Sequence, residues 1–243
     1  MRSKSTAIVI GAGGALGSAL CKQWQQDDEI ETVIAVSRQY EDNKDSLPDI
    51  HAIHCDYSEA SIAEVSEIIK SLAGQITRVC ICNGLLHNDH LWPEKRIEDI
   101  GLDALQEVFS VNSFIPILWL KALLPLVKGD TDSIITTISA RVGSINDNRS
   151  GGWYSYRASK AALNMLLKTA SIEFARRAKN VKLIAFQPGT TDTPLSKPFQ
   201  TAVKAEKLFT PAFVAQRLAD IMSRQKADGE LAFIDWENTK IDW

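Results

Sequence analysis

The sequence predicts an α/β fold, a doubly wound parallel sheet of about seven strands in a single domain, and three features point to it. Short apolar runs rich in Val and Ile recur along the chain, segments of helical length separate most of them, and the first run ends in a glycine-rich turn that opens into a helical pattern. Parallel strands covered by helices on both faces read as continuous apolar runs, whereas a sheet with one wet face would alternate.

In chain order, the first strand is expected at residues 7–10, Ala-Ile-Val-Ile, followed by the turn Gly11-Ala12-Gly13-Gly14-Ala15-Leu16-Gly17. Leu16, Leu20 and Trp24 then fall four apart, which gives a helix one apolar face. Further strands are expected at 32–36, 52–54, 78–82, 133–138, 181–186 and 231–234, with helices at 59–72, 102–127, 154–178 and 211–224. Segments 42–48 and 146–152 read as surface connections. No Pro/Ser/Gly-rich linker or internal repeat divides the 243 residues, and the roughly 55 residues after Gly189 are too few for a second core, so one domain is expected over 1–243.

Lys plus Arg number 27 against 30 Asp plus Glu, a net charge of −3 with no long run of either sign, which disfavours wholesale binding to nucleic acid or an acidic membrane. No stretch approaches the ~18 uninterrupted apolar residues of a spanning helix, and the start of the chain has no export pattern, so a cytoplasmic protein without a membrane span is expected. Cys21, Cys55, Cys80 and Cys82 are irregularly placed and read as free thiols.

At the carboxyl end of a parallel strand, a glycine turn feeding a helix offers bare N–H groups and a positive dipole end to phosphate. The spacing Gly-x-Gly-x-x-Gly starting at Gly11 fails, because its last glycine would fall on Leu16. Two spacings remain open: Gly11-x-x-Gly14-x-x-Gly17, and Gly11-x-x-x-Ala15-x-Gly17 with alanine in place of a glycine. Tight turns also use glycine for positive φ with no ligand, so the position between strand and helix carries the reading. The second strand ends in Val36-Ser37-Arg38, with no acid to accept bonds from the ribose hydroxyls of NAD. Arg38 suits the 2′-phosphate of NADP, which favours NADP(H) over NAD(H); a solvated surface arginine is the plainer alternative.

Tyr156 and Lys160 form Tyr-x-x-x-Lys within an expected helix, and residues four apart share a helix face. A neighbouring cation stabilises phenolate and brings a phenol toward useful proton transfer. Joined to the glycine turn about 140 residues earlier, this pair makes the sequence resemble the short-chain dehydrogenase/reductase family in its compact Rossmann-type form, over essentially the whole chain. Val111-Asn112-Ser113, Asp56 after the third strand, and Pro188-Gly189-Thr190-Thr191-Asp192-Thr193 agree with family positions. Ser144-Ile145, Gly151-Gly152-Trp153-Tyr154, and Phe233-Ile234-Asp235-Trp236 with Trp243 resemble the C-factor branch, which is also similar to small carbonyl reductases.

The resemblance implies hydride transfer between nicotinamide and a carbonyl or alcohol substrate. Tyr156 would supply the proton, Lys160 would hold the ribose and lower the phenol pKa, Asn112 would link Lys160 to a water path, and Ser139 would bond the substrate oxygen. Cofactor contacts are implied at Gly11, Gly14, Ala15, Leu16, Gly17, Ser37, Arg38, Asp56, Asn83, Gly84, Pro188, Gly189, Thr191 and Thr193, besides Tyr156 and Lys160. A homodimer or homotetramer through the helices at 102–127 and 154–178 is implied too. Three departures stand out: Ala15 replaces a glycine, Ile81-Cys82-Asn83-Gly84 replaces the usual Asn-Asn-Ala-Gly, and the serine position is ambiguous by one residue. Counting forward along the strand gives Ser139; counting back from Gly143 gives Ala140.

Cys80-x-Cys82 and His87-x-x-His90 are too closely spaced for a zinc site, and no metal is expected. There is no Gly-x-Ser-x-Gly hydrolase turn. A nucleotide-binding signalling or regulatory protein with weak or no turnover is the main rival. An extended-type epimerase would need a larger carboxyl-terminal domain.

Overall fold

The computed structural model describes residues 5–39 and 50–243; the connection expected at 42–48 lies outside the described residues. Seven strands form one parallel sheet: β1 (Ser5–Ile10), β2 (Thr32–Ser37), β3 (Ile50–His54), β4 (Gln75–Ile81), β5 (Ser133–Ile138), β6 (Val181–Gln187) and β9 (Leu231–Asp235), in the order β3-β2-β1-β4-β5-β6-β9. The chain winds outward from β1 to β3 and then returns to β4 on the other side of β1. That reversal is where open α/β sheets leave a crevice at their carboxyl ends. Two short strands, β7 (Thr190–Thr191) and β8 (Leu208–Phe209), pair separately and bracket the segment between them.

Helices cover both faces, so β1 is buried from Ala7 to Ile10 and offers apolar side chains in both directions. One face packs on α2 (Glu59–Leu72), α4 (Ile115–Val127) and α5 (Tyr154–Arg177); the other packs on α1 (Ala15–Gln25) and α6 (Pro211–Arg224). Leu20 and Trp24 supply the inner face of α1, as their spacing predicts.

The helix expected at 102–127 is divided. It runs as α3 (Leu102–Phe109), one π-helical turn at Ser110–Phe114, and α4. Pro116, at the start of α4, has no N–H for a helical bond to Asn112 and crowds that carbonyl, so the helix widens by a residue ahead of it. The run 102–127 is long and apolar enough by composition to cross a bilayer. Its apolar character serves the sheet, because Trp119, Leu120 and Leu123 lie buried in the core.

Candidate active site

The glycine turn is closed by packing. Gly11 has φ +83°, and a Cβ there would lie 3.1 Å from the Asn83 nitrogen. At Gly17 a Cβ would come within 2.3 Å of the Gly11 carbonyl oxygen, so only glycine lets α1 sit on the turn. The N–H groups of Gly11 and Ala12 both donate to the Val36 carbonyl, at 2.9 and 3.0 Å, tying the turn to the end of β2. Gly14 starts α1 with extended backbone and no side-chain cap. The N–H groups of Ala15, Leu16 and Gly17, in the first helical turn, therefore have no partner within the helix. This is a cradle for an anion.

Beside it, the Ser37 hydroxyl donates to the Gln39 carbonyl at 2.6 Å, and the exposed Arg38 guanidinium lies 5.8 Å from the centroid of the Tyr57 ring. Tyr57 is buried in a left-handed conformation, φ +70°, uncommon for a bulky side chain. Sequence reading missed it; the visible signal was its place next to Asp56. The Asp56 carboxylate accepts the Ser58 N–H at 2.8 Å, and that bond holds its pKa below the usual range. Farther along the strand ends, Gly189 has φ +74°, and a Cβ there would strike the Phe209 ring at 2.6 Å. The side chain of Leu195, in the segment between β7 and β8, would lie 3.7 Å from a Cβ on Gly84. Two buried oxygens among the expected contacts, Asn83 Oδ1 and Thr191 Oγ1, have no hydrogen-bond partner. Buried polar atoms are paired in nearly all folded proteins, so both suit a polar ligand along these strand ends.

Tyr156 and Lys160 share a face of α5. Lys160 Nζ donates to the Ile138 carbonyl at 2.9 Å and lies 5.9 Å from the Tyr156 ring centroid. Burial pushes the phenol up to about 12 and the ammonium down to about 8. Sequence reasoning expected the cation to lower the phenol. Burial outweighs it here, because both groups lose water and neither holds an ion-pair partner close enough to compensate.

Ser139 is buried, and its hydroxyl donates to Asn164 Oδ1 of α5 at 2.6 Å. Successive strand residues point to opposite faces, so Ser139 follows Ile135 and Thr137 toward α5 while the partly exposed Ala140 turns the other way. Asn112 lies in the π turn. Its Nδ2 donates to the Leu85 carbonyl at 2.9 Å and to Ser159 Oγ at 3.0 Å, and its Oδ1 accepts the Leu85 N–H at 2.7 Å. Asn112 thus clasps the connection after β4 to the residue before Lys160, with no direct bond to Lys160 itself. Ser113 reinforces the clasp through the Ser159 carbonyl at 2.7 Å.

Glu94 is a second residue that sequence reading passed over. It is buried, and its carboxylate accepts the Ser155 N–H at 3.1 Å and the Ser155 hydroxyl, while its carbonyl accepts the Trp153 N–H at 2.5 Å. Trp153 precedes α5 in a left-handed conformation with no side-chain cap of its own. Glu94 caps the helix from 61 residues away, one residue before Tyr156. Elsewhere, His90 pairs with Glu107, and the sulfurs of Cys80 and Cys82 lie 3.5 Å apart.

The family model for short chain dehydrogenases matches residues 5–204 of this chain. Over 249 aligned positions the chain is 23% identical to a benzil reductase ((S)-benzoin forming) of Bacillus cereus, covering 94% of this chain and 98% of that one. It is 23% identical over 145 residues to the C-signal protein of Myxococcus xanthus, covering 60% of this chain and 82% of that one. The NADPH-bound carbonyl reductase from chicken fatty liver matches with a TM-score of 0.84 at 22% identity, each chain covered in full, a likeness of fold.

Proposed function

From the premise that this chain belongs to the short-chain dehydrogenase family, we propose that it is a nicotinamide-dependent oxidoreductase that reduces a carbonyl to an alcohol and prefers NADP(H) to NAD(H). The observation that carries this reading is one line of groups at the strand ends: the uncapped N–H groups of α1, the unpartnered Asn83 Oδ1 and Thr191 Oγ1, and Tyr156 with Lys160.

When bound, the nicotinamide supplies the hydride. The protein's own residues do the rest. The turn from Gly11 to Gly17 would hold the pyrophosphate, with Ala15, Leu16 and Gly17 offering backbone N–H groups to it, while Gly14, whose own N–H is donated to the Gly11 carbonyl at 3.1 Å, starts the helix without a side chain in the way. Arg38, beside Ser37 and 5.8 Å from the centroid of the Tyr57 ring, would hold a 2′-phosphate, and Asp56 would contact the adenosine half. Asn83, Gly84, Pro188, Gly189, Thr191 and Thr193 would hold the nicotinamide half, and Lys160, whose Nζ donates to the Ile138 carbonyl, would also donate to the ribose hydroxyls.

Tyr156 Oη would bond the substrate oxygen and give it a proton. A phenol at about 12 is fully protonated at neutral pH, yet far more acidic than the alcohol it forms, so its ground state is set for reduction. Ser139 supports the strand end through Asn164 instead of reaching the substrate. Asn112 holds the connection after β4 against α5, which fixes Lys160. Exposed Phe114, Met165 and Ile172 on the π turn and α5 give a second copy an apolar face, and the assembly is a homodimer or homotetramer.

A nucleotide-binding regulatory role, as similarity to the C-signal protein suggests, is the second reading; the turning away of Ser139 favours it. Titrating NADPH and NADH into the purified protein, followed by a panel of aldehydes and ketones, tests the proposal. Tighter NADPH binding with turnover of a carbonyl supports it. Cofactor binding with no turnover across the panel moves the protein to the regulatory reading.

A further inference from the structure

Reduction of a carbonyl leaves a run of aromatic rings beside Tyr156 without a role. Trp153 lies 6.2 Å from the Tyr156 ring at 77°, and Phe199 lies 5.0 Å from Trp153. Phe199 in turn meets His87 at 5.6 Å and Trp92 at 5.9 Å, and those two stack on each other at 5.2 Å. The rings come from three separate segments: the connection from β4 to α3, the start of α5, and the chain between β7 and β8.

None of His87, Trp92, Trp153 and Phe199 belongs to either apolar core of the sheet. Three of the four ring contacts among them are edge-to-face, an arrangement that uses the ring quadrupole and that aliphatic side chains cannot reproduce. Trp92 is 58% exposed, so much of its ring faces solvent instead of filling space between the segments. Trp153 is held at φ 54°, a conformation that a bulky residue adopts only when its surroundings impose it. Glu94 imposes it by accepting the Trp153 N–H.

We infer that His87, Trp92, Trp153 and Phe199 form an aromatic subsite selecting carbonyl compounds that carry an aryl ring next to the carbonyl carbon. The inference rests on the carbonyl-reductase reading and adds its substrate class. With the substrate oxygen on Tyr156 Oη, a ring conjugated to the carbonyl is coplanar with it and lies beside the Tyr156 ring, which Trp153 flanks at 6.2 Å. Trp153 is the first it meets, and aromatic pairs attract at centroid separations of about 4.5–7 Å. A saturated ring of the same size gains the burial but has no quadrupole to match.

The test compares kcat/KM for acetophenone and for cyclohexyl methyl ketone, which have equal carbon counts, with NADPH and with NADH as cofactor. The wild type should favour the aryl ketone by about tenfold or more, and Trp92→Leu with Phe199→Leu should bring the ratio below about threefold. If the double variant does not fold, Trp92→Leu alone, at its exposed position, should lower the ratio. A wild-type ratio near one, or an unchanged ratio in a folded variant, overturns the subsite while leaving carbonyl reduction standing. If neither ketone turns over with either cofactor, the wider panel of aldehydes and ketones decides carbonyl reduction, and ligand-observed NMR decides the subsite separately. Acetophenone binding more tightly than its saturated counterpart, with the difference lost in the variant, supports the subsite, and equal binding overturns it.

Discussion

At the scale of single residues, the proposed chemistry rests on a phenol whose proton is held tightly and a lysine whose proton is held loosely. Tyr156→Phe keeps the ring and its contact with Trp153 but removes the oxygen that gives the proton. General acid catalysis is worth roughly 10²–10⁴-fold, so turnover should fall by at least about 10² while NADPH affinity stays within a few fold. Steady-state rates and a fluorescence titration on the same sample check both halves. Arg38 acts differently: Arg38→Ala should cost NADPH about 1–3 kcal/mol, the worth of a bond between charged groups, and leave NADH nearly unaffected. Equal wild-type dissociation constants for the two cofactors would sink that claim. The shared helix face of Tyr156 and Lys160 and the close packing at Gly17 were legible in the sequence because their signal is local, a spacing on one helix or one turn. The bond from Ser139 to Asn164 was not legible, because it depends on which face a strand end turns to, and one residue reverses that.

At the scale of elements, sequence periodicity located the strands and helices, since each must bury an apolar face, but it ran α3 and α4 together. Pro116 was the available signal for the π turn that carries Asn112. What periodicity cannot supply is a cap from elsewhere in the chain. Glu94 satisfies the first turn of α5 across 61 residues, a contact that only the folded topology creates. Glu94→Ala should leave the buried Ser155 N–H and hydroxyl without partners, at a cost of about 1–3 kcal/mol for the backbone donor alone. Glu94→Gln retains an acceptor and should recover part of that loss. Denaturant midpoints of the three proteins check the order wild type, Gln, Ala. If Ala matched wild type, Glu94 would not be capping α5. The same comparison bears on function, because a frayed first turn moves Trp153 and Tyr156 together.

For the whole molecule, the alternation of runs was enough to imply a parallel sheet, and the reversal of strand order between β1 and β4 then brings segments distant in sequence to one edge. That convergence buries Lys160, and burial has a consequence for global stability. Its ammonium falls to about 8 in the folded protein against 10.5 in an ordinary environment. Between those values the unfolded chain keeps a proton that the folded chain has released, so stability rises with pH across that window. The gain between pH 7 and pH 9.5 is on the order of 2 kcal/mol for this group. Tyr156 works in the opposite sense at higher pH: raised to about 12, it makes the folded state lose stability as the unfolded phenol ionises above its ordinary value of 10.0. Lys160 therefore favours the cofactor-free folded state from pH 7 to pH 9.5, the Cys21 and Cys80 thiols, pushed up by burial, oppose it as their unfolded counterparts ionise around pH 9, and Tyr156 adds to that loss beyond about pH 10. Lys160→Met, which keeps the length of the side chain without the charge, should make the stability change between pH 7 and pH 9.5 less favourable by about 2 kcal/mol and leave the later fall. Denaturant midpoints at pH 7, 9.5 and 11 for both proteins check this, and a Lys160→Met protein with the same change between pH 7 and pH 9.5 as the wild type would show that Lys160 does not carry that term.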